Sequence, residues 1–132
     1  MDKQVLLHRQ AKGQMFLQKI FPIAIYSLGI TSAGFIVSVI SFYIHAHSVL
    51  GYWPSYDHPD PGKLPFYSTY YVAVNITASI WLYSFLIWLV IVVPTGIIFP
   101  EKRVLKKILI SGIGHAIGMA IFWSEIMEWI MD

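Results

Sequence analysis

Three long apolar stretches, divided by a proline-rich segment and a tight basic turn, set the pattern of this chain. The first, from Pro22 to Ala46, holds no Asp, Glu, Lys or Arg. A hydrocarbon core about 30 Å thick takes about 20 residues of α-helix at 1.5 Å each. The stretch therefore predicts a transmembrane helix over 20–46, with Pro22 in the first turn, where its missing N–H is no loss. Small and polar residues recur along it at Ser27, Thr31, Gly34, Ser38, Ser41 and His45. Their steps alternate four and three, the spacing of a left-handed helix-packing seam, so this stripe is expected to face another helix.

The second apolar stretch predicts a span over 70–96, bent or ended by Pro94 and Gly96 because the whole run is too long for one untilted helix. The third predicts a span over 108–131. Its own stripe runs through Ser111, Gly114, Gly118, Ile121, Glu125 and Glu128. Gly114 and Gly118 make a GxxxG pair, a spacing that lets helices approach closely but recurs by chance in apolar sequence. Lys106 and Lys107 are expected to snorkel at one end of this span, with Trp123 and Trp129 in the aromatic belt at the other.

Between the first two spans, residues 47–69 carry Pro54, Pro59, Pro61 and Pro65 together with Tyr52, Trp53, Tyr56, Phe66 and Tyr67. Four prolines exclude a regular helix. So many rings need apolar cover that an ordered loop on the membrane surface is expected. Residues 1–19 mix Lys3, Arg9, Lys12 and Lys19 with apolar side chains, the pattern of a short interfacial helix or of a basic arm that only fixes topology. Gly13 weakens any single continuous helix there.

Composition sharpens the class. Of 132 residues, 57% are hydrophobic and 12% charged, against about 25% charged in soluble domains. With a mean hydropathy of +0.64, the fold class is all-α integral membrane with three transmembrane helices in a single domain. The arm and the 101–107 turn hold eight of the nine Lys and Arg residues. The positive-inside rule then puts the N-terminus in the cytoplasm and the proline-rich loop and C-terminus outside. The first apolar run is too long for a cleavable h-region, so an uncleaved signal anchor in a bacterial inner membrane or its equivalent is expected. A formal charge of +2 is too weak to argue for nucleic acid, and no such partner is expected; the lack of cysteine excludes disulfides, thiolate metal sites and Cys nucleophiles.

Chemistry-bearing residues are few. In the expected topology His45, His47, Glu125 and Glu128 gather at the outer helix ends, near Asp57, His58 and Asp60 of the loop. Imidazoles with carboxylates suit a divalent ion; carboxylates at an interface also simply reach water. His115 lies near the midplane of the third span. It fits a haem ligand or a quinone site, or else a neutral imidazole bonded across a helix interface. A bis-histidine haem needs a second imidazole at that depth, and no other His of the chain lies there. Asn75 fits either a ligand or a neighbouring helix. No nucleophile elbow, HExxH, phosphate loop or paired arginines appear.

Three functions follow as expectations. The first is a small non-catalytic accessory or assembly subunit of a larger membrane complex. The second is a homo-oligomeric channel, carrier or membrane effector lined by the Ser27–Ser41 stripe. The third is a haem- or quinone-binding redox subunit built on His115. Lipid contacts are common to all three.

Overall fold

Every regular element among the described residues is helical. The computed structural model describes residues 3–55, 59–98 and 102–132, with side chains over 21–55, 59–97 and 102–132. Helix α1 spans Lys3–Leu50, α2 Tyr67–Ile98, α3 Lys102–Phe122 and α4 Glu125–Met131, with a 3-10 turn at Pro61–Lys63. The first three contain segments long and apolar enough to cross a bilayer: Phe21–Leu50, Tyr67–Ile97 and Lys102–Phe122. The chain is thus an all-helical integral membrane protein by length and composition. Its outward surface suits lipid, with Ile30 71% and Val90 74% exposed.

The element boundaries depart from the sequence expectation in three places. Helix α1 does not begin at Pro22; the 1–19 arm continues into it as one helix from Lys3, with Pro22 inside. Helix α2 likewise runs through Pro94 to Ile98. In a membrane helix a proline removes one backbone bond without offering water as a replacement partner, so the helix tends to continue around it. The third span, by contrast, stops short. Helix α3 ends at Phe122, and the chain turns at Trp123–Ser124 before the short α4. Ser124 Oγ donates to Ile121 O at 2.6 Å, and Ser124 N to the same carbonyl at 3.0 Å, closing the break. At the other end of the first span, Gly51 with φ 76 terminates α1, its N–H bonding His47 O at 2.8 Å. Only a residue free of Cβ takes that left-handed conformation without penalty.

Helix α1 is the central element. It packs along both α2 and α3, while α2 and α3 touch each other far less. Its buried side chains are Ile25, Ser32, Phe35, Val39, Phe42 and Ala46. That seam is displaced by one residue from the expected Ser27–His45 stripe and so lies about 100° around the helix. Against α3 the approach is backbone to backbone. A Cβ on Gly29 would lie 3.2 Å from Ser111 O, and one on Gly114 would lie 3.2 Å from Gly29 O. Against α2 the contact is aromatic: Phe35 stacks on Trp81 at 4.9 Å and 13°. Dispersion and shape hold such contacts, because lipid tails cancel most of the hydrophobic drive between spans.

Beyond the helices, α4 folds back over the end of α1. Trp129, fully buried, stacks on Phe42 at 5.3 Å, and its indole N–H donates to Pro59 O at 2.8 Å. Tyr67 Oη donates to Ile130 O at 3.2 Å, and Tyr43 Oη to Pro54 O at 2.9 Å. The proline-rich loop, the start of α2 and the C-terminus are thereby fastened into one aromatic cap. Trp129 is part of this core rather than of a lipid-facing belt; Trp123, at 79% exposure, faces outward.

Candidate functional site

The titratable residue buried among the spans is His115, 1% exposed on α3. Helix α3 sets it between two glycines that receive tryptophans of α2. A Cβ on Gly112 would lie 3.1 Å from Trp88 Cζ2, and one on Gly118 would lie 2.8 Å from Trp81 Nε1. Trp81, Phe85 and Trp88 recur at helical spacing on α2 and form a stacked ladder, with centroids 6.1 and 6.3 Å apart. The His115 ring sits against it, 5.4 Å from Phe85 and 5.2 Å from Trp88, tilted by 50° and 51°.

Hydrogen bonding in this layer is uneven. Trp88 Nε1 donates to Ser111 Oγ at 2.9 Å, and that hydroxyl donates to Ile108 O at 3.0 Å. Both nitrogens of His115 and the N–H of Trp81 are buried with no partner among the described residues. The partnered histidine expected for a purely structural role is therefore absent at this position. An unmet polar atom away from water costs about 1–3 kcal/mol, so three in one layer are a substantial load on a small bundle. The rings flanking His115 are Phe85 and Trp88, and among the described residues no second imidazole faces it.

The outer quartet is not brought together. His45 stacks on Phe66 at 4.0 Å and shares a 3.2 Å hydrogen bond with Tyr70 Oη. His47 stacks on Trp53 at 3.9 Å and 7°. Glu125 and Glu128 are exposed in the first turn of α4, where the helix dipole favours carboxylates. Among the described residues no group of three or more His, Cys, Asp or Glu is placed to hold a metal ion. The two imidazoles instead act as flat faces that pin the loop to α1. Asp57 and His58 lie outside the described residues; Asp60 caps the 3-10 turn by accepting from Gly62 N at 2.9 Å.

The remaining sequence candidates divide cleanly. Gly114 faces Ser32 and Gly29 of α1, whereas Gly118 faces Trp81 of α2, so the GxxxG pair serves two different neighbours within this chain. Ser27 and Gly34 are exposed, Thr31, Ser38 and Ser41 half-buried, and a Cβ on Gly34 would meet nothing within 4 Å. Asn75 Nδ2 donates to Tyr71 O at 2.9 Å, one turn back on its own helix. Sequence reasoning missed Gly29, Ser32 and Trp81. The one available signal was the pairing of Trp81, Phe85 and Trp88 on one α2 face with Gly112, His115 and Gly118 on one α3 face. Comparison with protein-family models, curated proteins and solved structures gives no match.

Proposed function

We propose that this chain is a small non-catalytic subunit of a larger integral membrane complex, docking another membrane protein through the Ser27–Ser41 face of α1. The observation that carries the reading is Gly34, where an added Cβ would meet nothing within 4 Å, on the helix whose Gly29 is packed against Ser111 of α3. The polar groups around it require no water. Ser27 Oγ donates to Ala24 O at 2.9 Å, Thr31 Oγ1 to Leu28 O at 2.6 Å and Ser38 Oγ to Gly34 O at 2.8 Å. A face of short side chains on which the Ser27, Thr31 and Ser38 hydroxyls are already bonded favours close helix approach over a hydrated path. The same reading places the basic ends in the cytoplasm, the aromatic cap outside and the protein in a bacterial inner membrane or its equivalent, held by an uncleaved anchor.

The test is the mass of the full chain extracted in mild detergent, with its co-purifying chains identified. A stoichiometric set of unrelated membrane subunits is expected. Gly34→Leu is expected to release them while leaving the thermal unfolding of the chain itself in place. A homogeneous particle of this chain alone would instead sink the reading.

A further inference from the structure

Helix α2 carries an inference on a different face from the Ser27–Ser41 stripe of α1, resting only on the chain being an integral membrane protein. Tyr71, Asn75, Ser79 and Tyr83 recur every four residues and so follow one ridge of the helix. Ser79 lies about 160° around α2 from Trp81, the fully buried ring of its packed seam. The ridge turns away from the rest of the chain: Ser79 is exposed, and Tyr83 is 68% exposed. Tyr83 stands at the middle of the Tyr67–Ile97 span, about 24 Å from one end and about 21 Å from the other, beyond the reach of a side chain to water.

The polar groups of this ridge are left over from the packing. Beyond Tyr71, the α2 side chains that hydrogen-bond are Asn75, Thr77, Trp88 and Thr95; Ser79 and Tyr83 bond nothing among the described residues. Thr77 and Thr95 close on carbonyls of their own helix. A tyrosine hydroxyl stands too far from its own backbone to turn back in this way. Asn75 spends one amide hydrogen on Tyr71 O at 2.9 Å, which leaves the other, with Oδ1, for a partner. Such groups are costly in hydrocarbon, where nothing replaces their water.

We propose that a second copy of this chain covers the ridge, two α2 helices crossing at Ser79 about a two-fold axis along the membrane normal. The chemistry selects the occupant. Two copies enter the bilayer the same way up, because eight of the nine basic residues are gathered at one end. The axis then sets each residue of the ridge beside its own image at equal depth. Carboxamides and hydroxyls both donate and accept, so each can bond its image, and α2 holds no Asp, Glu, Lys or Arg that its image would repel. Ridges of four-residue period meet at a right-handed crossing of about −40°, common among close helix pairs in membranes. The α1 face lies on another helix, so both surfaces can be occupied at once.

The experiment is oxidative cross-linking of the full chain in native membranes with copper phenanthroline, made site-specific by the absence of cysteine. Ser79→Cys should give a disulfide-linked species of twice the chain mass. Ile80→Cys, at the same depth and 52% exposed, should not. A yield at Ile80 as high as at Ser79, no product at either, or a product joining this chain to a different protein overturns the proposal. Tyr83→Phe removes only the hydroxyl. Added to the Ser79→Cys chain in phosphatidylcholine vesicles, it should weaken dimerisation about threefold, the equivalent of one interhelical hydrogen bond in lipid. An unchanged cross-linked fraction as the chain is diluted into lipid also overturns it. Gly34→Leu should leave the Ser79 cross-link in place, so failure here and failure of docking through α1 are separable.

Discussion

Glycines of this chain differ by what stands opposite them, and the difference has a sign that can be measured. A Cβ on Gly118 would lie 2.8 Å from Trp81 Nε1 and 2.9 Å from Cε2. The Trp81 ring is fully buried and stacked on Phe35, so it has nowhere to retreat. Gly118→Ala is therefore expected to destabilise the protein by about 1–3 kcal/mol through overpacking. Gly34→Ala meets nothing within 4 Å and gains helix propensity, so its thermal midpoint should stay level or rise. Thermal unfolding of both variants in the same detergent checks the pair. Were both Gly114 and Gly118 on a partner-facing surface, the Gly118 variant would unfold like the wild type and lose only its partner.

At the scale of elements, α4 is the clearest case of a segment whose role depends on one side chain. Trp129 bonds Pro59 O at 2.8 Å, stacks on Phe42 and meets Tyr43 edge-on at 6.0 Å. Trp129→Ala removes a large buried ring and leaves a cavity, with an expected cost of about 3–5 kcal/mol. The loss should fall on the cap: limited proteolysis is expected to cut residues 51–66 in the variant while the spans stay protected. Trp129→Phe keeps the stack and loses one hydrogen bond, about 1 kcal/mol, and should leave the loop resistant.

What the sequence revealed of these elements follows from what a bilayer does to hydropathy. Three apolar stretches were legible because length and absence of charge suffice to mark a span. The packed face was not. In water an inward Phe35 or Val39 would stand out against polar neighbours, but beside lipid Val37 and Ile40 are equally apolar and point outward. Small residues then become the only visible periodicity, and they traced a stripe one residue from the true seam. The turn at Trp123–Ser124 escaped notice because neither residue is a strong helix breaker; the cap that folds α4 back is a tertiary effect. His115 was legible as a polar residue at midplane depth, whereas its unpartnered nitrogens and the nearness of Phe85 and Trp88 depend on how α2 meets α3.

The whole molecule has two dissimilar ends, and its orientation can be tested through a feature of composition. Helix α1, 48 residues long, runs about 72 Å at 1.5 Å per residue, well beyond a hydrocarbon core of about 30 Å. Contacts of Phe42 with Tyr70 and of Phe35 with Trp81 make α2 antiparallel to α1, and those of Gly29 with Ser111 and of Ser32 with Gly114 make α3 parallel to it. The start of α1 and the basic start of α3 therefore share one end, and the aromatic cap forms the other. Eight of nine basic residues lie at the first end, so this end is expected to be cytoplasmic. Because the chain has no cysteine, single substitutions report side without background. Ser48→Cys and Leu105→Cys replace exposed side chains at opposite ends without altering charge. A membrane-impermeant maleimide applied to intact cells is expected to label the Ser48 variant alone, and the Leu105 variant only after permeabilisation. The reverse pattern would invert the topology and turn the aromatic cap, with its paired imidazole stacks, toward the cytoplasm.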